Sequence, residues 1–195
     1  MCRENEFSNF FQGGTCFDTL GMILETSAIY TPETSEVPMN KSFIYAHSKM
    51  GMPKEEWQRL DVHLANVANK AALCAEKFQS EDWAWNAAWL HDLGKAAGEF
   101  QAYLLRQNGL DDSEYDEIGT GRVNHSSAGA ALSQEKFGPL IGLVCAYLAA
   151  GHHAGLPDYF TADTGRAALQ VRLVEGRENL NHIRKTVDEI DKQLR

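Results

Sequence analysis

The sequence has no run of twenty apolar residues, no basic start followed by an apolar stretch, no cysteines at CxxC spacing and no Gly-Lys-Ser or Gly-Lys-Thr loop. The first two absences argue against a membrane span and a cleaved secretory signal. The third removes the common zinc ribbons and fingers, and the fourth removes the phosphate-cradling loop of an ATP-driven motor. Basic residues are also in deficit, with 18 Lys and Arg against 27 Asp and Glu and a net charge of -9. A chain that grips nucleic acid unaided normally carries a basic face, because Lys and Arg displace counterions from the phosphates. A nucleic-acid substrate would therefore have to be delivered by a partner. Cys2, Cys16, Cys74 and Cys145 are scattered, and the last two lie in apolar helical contexts. That pattern predicts reduced, buried thiols and a cytoplasmic location. The 195 residues, 44% of them hydrophobic and 23% charged, suit one soluble domain with a single core.

What the chain does have is histidine in pairs. His91-Asp92 lies in WLHDLGK and His152-His153 in GHHAGLPD. From Pro53 to Phe78 the residues Trp57, Leu60, Leu64, Val67, Ala68, Ala71 and Ala75 recur at intervals of three and four, which predicts an amphipathic helix with His63 at the border of its buried stripe. A second helix is expected from about Asp82 to Arg106. His91 falls four after Ala87 and Asp92 four after Ala88, which points both toward the core. Leu140 to Ala150 is apolar almost all round, as a helix enclosed by others should be. His152 follows Leu148 by four, and Gly151, Gly155 and Pro157 end that helix. His125 precedes SSAGAAL, a helix start.

Imidazole and carboxylate hold borderline divalent metals such as manganese, iron, cobalt, nickel or zinc. Two such ions about 3.5–4 Å apart can share a carboxylate, activate water and stabilise the leaving oxygen of a phosphoryl transfer. Asp92 is the natural bridge, with His63 and His91 on one ion and His125, His152 and His153 on the other. Lys95 follows one turn later and can offer positive charge to a phosphate oxygen. A lone histidine on an apolar face is more often a hydrogen-bonded core residue than a ligand. It is the gathering of two pairs with His63 and His125 on separate helices that points to a metal centre. His47, in a connecting segment, and His182, on a polar helical stretch, read as solvated.

The stretch from Tyr45 to Asp158 resembles the HD nuclease domain of the type I CRISPR effector nuclease-helicase, a branch of the HD metal-dependent phosphohydrolase superfamily. The resemblance is carried by Ala46-His47-Ser48, the helix WQRLDVHLANVA, HDLGK, Phe100-Gln101, Asn124-His125-Ser126 before AGAAL, and GHHAGLP. It implies an all-α helical bundle around a dinuclear metal site with two divalent transition-metal ions (Mn, Fe, Co or Ni, or Mg). It also implies cleavage of single-stranded DNA beside a helicase portion or subunit and a CRISPR surveillance complex, in antiviral defence. By position His63, His91, Asp92, His125, His152 and His153 match the ligands, with Asp92 and Lys95 at the chemistry. The resemblance calls for one more Asp from a later helix, and no segment here matches it. Asp188 and Asp191 lie on the solvated side of a stripe formed by Leu180, Ile183, Val187, Ile190 and Leu194. The chain then reads as a fragment, a prematurely ended frame or a split subunit.

Residues 1–40 mix turn residues with short apolar patches and show no sustained period, so they are expected to lie outside the domain formed by 41–195, with Met39 as a candidate start. GLDDSEYDEIGTGRV, before Asn124, is expected to loop near the site entrance. Two other readings compete with the nuclease: an HD phosphohydrolase of nucleotides or other small phosphate esters, and an inactive metal-binding interaction module.

Overall fold

A computed structural model of the chain describes residues 43–110, 124–153, 155–160 and 168–190. The N-terminal segment, Asp191, and the Gly- and acid-rich stretch before Asn124 apart from Gly109 and Leu110 lie outside the described residues. Among the described residues the fold is all-α apart from one small strand pair, in which β1 (Tyr45–His47) runs antiparallel to β2 (Gln58–Arg59). Five α-helices follow among the described residues: α1 (Leu60–Ala75), α2 (Glu81–Leu90), α3 (Gly98–Gln107), α4 (Ser127–Gly151) and α5 (Leu169–Ile190). No helix among the described residues is long and apolar enough to cross a membrane.

The core forms where apolar stripes at three-and-four spacing meet. Leu60, Leu64, Val67 and Ala68 of α1 lie against Trp85, Ala88 and Trp89 of α2, whose two indoles stack with ring centres 5.0 Å apart. Ala128, Ala131 and Leu132 of α4 and Leu169, Leu173, Leu180, Ile183 and Val187 of α5 complete it. A smaller cluster of Trp57, Phe100, Leu104 and Leu105, with Tyr45 packed on it, fastens the strand pair to α3. Cys145 is buried and Cys74 half-buried, and burial pushes the Cys145 thiol up.

Three helices differ from their expected extents. The Pro53 to Phe78 helix begins only at Leu60, because Lys54–Glu56 forms a separate 3-10 turn and β2 intervenes before α1. The single helix expected over Asp82 to Arg106 is broken at His91-Asp92, with a 3-10 turn Leu93–Ala96 between α2 and α3. The Leu140 to Ala150 segment is not enclosed. It is the second half of α4, beyond a break at Gly138 (φ 74°) and Pro139, and one face carries Leu140, Ile141, Val144 and Leu148 into solvent. Its buried face is made of small residues, Gly142, Ala146, Ala149 and Ala150, so hydrophobicity all round the helix came from two faces of which one is covered.

The break after α2 has a packing cause. The N–H of Gly94 donates to the carbonyl of His125 at 3.1 Å, and a Cβ built on Gly94 would stand 2.3 Å from that oxygen. Gly129, one turn into α4, lies so close to α2 that a Cβ would stand 1.8 Å from the carbonyl oxygen of Leu90. The two glycines let the start of α4 seat directly on the turn that carries His91 and Asp92. A methyl group there has no space. Gly129→Ala is expected to cost at least about 1–3 kcal/mol as an overpacked contact and to lower the thermal midpoint; an unchanged midpoint would contradict this docking.

Candidate metal centre

Asp92 is the hub of the site, 4% exposed, and its two carboxylate oxygens face different partners. Oδ2 lies 3.0 Å from His63 Nε2, 3.1 Å from His91 Nε2 and 2.8 Å from Lys95 Nζ. Oδ1 lies 3.5 Å from His125 Nε2 and 3.3 Å from His152 Nε2. His153 closes the second group, its Nε2 2.7 Å from that of His125. All six residues expected from the sequence at the centre, His63, His91, Asp92, His125, His152 and His153, are thus brought together, and Lys95 with them.

Each is placed by a helix end. His91 follows the last residue of α2 and His152 the last residue of α4, and each ring turns back on its own helix. His91 Nδ1 donates to the carbonyl of Ala88 at 2.5 Å, and His152 Nδ1 to that of Ala149 at 2.7 Å. A carbonyl only accepts, so Nδ1 carries the proton and Nε2 of the neutral ring is left with a lone pair. That lone pair faces a carboxylate oxygen in both cases. Lone pairs set against each other at this range repel unless a cation lies between them or the ring takes up a proton. Asp92 Oδ1 and His152 Nε2 are buried and make no hydrogen bond. Such atoms are costly to bury without a partner. The donor chemistry therefore fits a divalent ion. Asp92, His125, His152 and His153 each offer a ligand atom, all within 4.8 Å of one another. The end of α4 is tied in place by Arg172 of α5, which donates to the carbonyl of Ala150 at 2.7 Å.

His47 does not behave as a solvated residue. It sits at the end of β1, its ring centre 4.8 Å from that of His63, and its ligand atom joins those of His63 and Asp92 within the same 4.8 Å. The pairing of β1 with β2, which leads straight into α1, brings the two histidines together; a contact between segments this short leaves no periodic trace in sequence. Its one legible signal is its place in Ala46-His47-Ser48, one of the strings that carry the resemblance. His182 is exposed on α5, as expected, and so is Asp188. Lys95 differs in setting: it is 5% exposed and paired with Asp92, not free at the surface.

The family model of the Cas3 HD domain matches residues 47–195. The chain belongs to the Cas3 HD domain family. That family comprises CRISPR-associated metal-dependent nuclease domains, and the match begins at His47 and runs through every residue of the cluster. No curated protein and no solved structure matches the chain.

The electrostatics set a charged carboxylate beside three rings, His47, His63 and His153, that burial drives toward the neutral form. Burial acts to raise the pKa of Asp92, but the surrounding His91, His152 and His63 overcome it and hold the group well below the usual carboxylate range. Burial lowers His63. It also pushes His47 down to about 4, with Lys95 adding to the effect, and His153 down to about 4, helped by His152 and His125. Neutral imidazole is the metal-binding form. In the unfolded chain each of these rings protonates near pH 6.5, while His47 and His153 in the folded chain resist protonation until about pH 4. Between those values the unfolded state binds more protons, so their contribution to stability is full above 6.5 and is lost as the pH falls toward 4. The thermal midpoint of the chelator-treated protein should decline across that window; a midpoint that stays flat or rises on acidification would contradict the assignment.

Proposed function

We propose that the domain cleaves single-stranded DNA in CRISPR interference, as part of antiviral defence, with the strand handed to it by a helicase portion or subunit working with a surveillance complex. The observation that carries this reading is the division of Asp92, one oxygen toward each set of histidines, in a chain of the Cas3 HD domain family. His63, His91 and Asp92 would hold one divalent ion, and His125, His152, His153 and Asp92 the other. A donor set of imidazoles with a single shared carboxylate suits manganese, iron, cobalt or nickel better than magnesium, which prefers oxygen. Ions bound there supply activation of water and neutralisation of charge for an in-line displacement at phosphorus.

The chain's own residues account for the approach of substrate. A cavity of about 480 Å³ adjoins the cluster, with His47, Lys95, His125 and His153 among its lining and Phe100, Tyr103, Leu104 and Met50 along an apolar wall. That volume is in the range of small-ligand sites. Lys95 is the only lysine or arginine in the lining among the described residues, set where it can turn from Asp92 toward a phosphate oxygen. Tyr103 is 40% exposed and presents an aromatic face on which a base can stack. The acidic surface suits a domain whose substrate arrives from a partner.

Circular single-stranded DNA incubated with the purified chain and manganese or nickel should be linearised, and Asp92→Ala should reduce the rate by roughly 100-fold or more. Tyr103→Ala should raise KM for the strand about 5-fold or more, the worth of one stacked base. Turnover of nucleotides in the absence of DNA cutting would sink this reading in favour of a small-phosphate hydrolase. Tight metal binding with neither activity would favour an interaction module.

A further inference from the structure

We propose that His47 is a protein ligand of the ion on the Oδ2 side of Asp92, and that Gln101 is the positioning residue that sets it there. The inference rests on the reading of the cluster as a two-ion centre. On the Oδ1 side four residues converge: Asp92, His125, His152 and His153. On the Oδ2 side the residues read from the sequence are three, His63, His91 and Asp92. The carboxylate that the resemblance calls for is not among the groups of converging ligand atoms in the described residues, where Asp92 is the sole acid. His47 fills that place. Its ligand atom lies with those of His63 and Asp92 inside 4.8 Å. Two ligands on one ion, each about 2.0–2.2 Å from it, can be up to roughly 4.4 Å apart, so His47, His63 and Asp92 can close on one ion with movement of less than an ångström.

A positive charge already stands at this position. The Lys95 ammonium lies 3.4 Å from His47 Nε2 and 2.8 Å from Asp92 Oδ2, so both atoms present acceptor lone pairs to a cation.

The strand that carries His47 is held by one side chain. Gln101 Oε1 accepts from the N–H of Tyr45 at 3.0 Å, while its Nε2 donates to the carbonyl of Tyr45 at 2.8 Å and to that of Lys95 at 2.7 Å. One amide thus locks β1, two residues before His47, to the turn that follows Asp92. On the other flank the N–H of Leu60 donates to the carbonyl of Ile44 at 2.8 Å, fixing β1 to the helix that carries His63. The Phe100-Gln101 pair therefore has a physical role: Phe100 packs its ring against His125, 5.4 Å between centres, and Gln101 aligns His47.

The test is metal stoichiometry by equilibrium dialysis of the metal-stripped full chain against manganese, with elemental analysis. Wild type should bind two ions. His47→Ala should keep one and weaken the other by roughly 10-fold or more. Gln101→Met, which removes the three hydrogen bonds, should weaken the same ion and leave the affinity of the other unchanged, a selectivity that a general loss of stability would not produce. Two ions with unchanged affinity in His47→Ala would overturn the proposal, as would loss of that ion in Glu175→Ala but not in His47→Ala, Glu175 being an α5 carboxylate that accepts from Asn124, the neighbour of His125. If His47→Ala does not fold, cadmium-113 loading of wild type carrying nitrogen-15 histidine decides: a cadmium coupling on the His47 ring supports the assignment, and its absence overturns it. An ion lost in His47→Ala from a wild type that cuts no DNA would sink the nuclease reading alone. Full cutting with unchanged metal content in that variant would sink this assignment alone.

Discussion

One buried carboxylate organises this domain. Asp92 sits between the ends of α2 and α4, and nearly every polar group near it is arranged about its two oxygens. A charge at this depth is expensive unless it is paired. The Lys95 ammonium meets that requirement at one oxygen, but two of the imidazoles are turned by backbone carbonyls so that lone pairs point back at the carboxylate. The metal-free arrangement is therefore electrostatically incomplete. Binding of cations would relieve the same repulsion that the fold creates, so that metal affinity and folding stability draw on one set of contacts.

Bringing two helix ends to one carboxylate demands close backbone approach. Gly94 and Gly129 provide it, and the hydrogen bond from Gly94 to His125 fixes the start of α4 relative to the turn after Asp92. The strand pair and Gln101 provide the third side, which carries His47. The surrounding core of Leu and Trp on α1 and α2, with Leu and Ile on α5, holds these supports in register. Small residues near the site thus serve placement, and the larger apolar residues serve stability.

Much of this is legible in the sequence. The three-and-four spacing of Leu60, Leu64, Val67 and Ala68 announced α1, and the buried stripe of Leu180, Ile183 and Val187 appeared as α5. The six site residues were visible because motif strings name them directly. The boundaries were harder to see. Trp57 kept the helical period yet belongs to a separate cluster beside β2, and the break at His91-Asp92 arises from tertiary docking of Gly129 on Leu90, which no local pattern encodes. The exposed face of Leu140, Ile141, Val144 and Leu148 was misread because apolarity alone does not say which side of a helix is covered. His47 was missed for a related reason: strand pairing places it 16 residues from His63 in sequence and 4.8 Å away in space, ring centre to ring centre.

The central claim is that Asp92 joins two cation sites. Electron paramagnetic resonance of the full chain loaded with two equivalents of manganese(II) tests it most directly. The account predicts a spin-coupled spectrum from two ions sharing one carboxylate, replaced in Asp92→Asn by the signal of isolated manganese. A spectrum of isolated, uncoupled ions in the wild-type protein at two bound equivalents would contradict it.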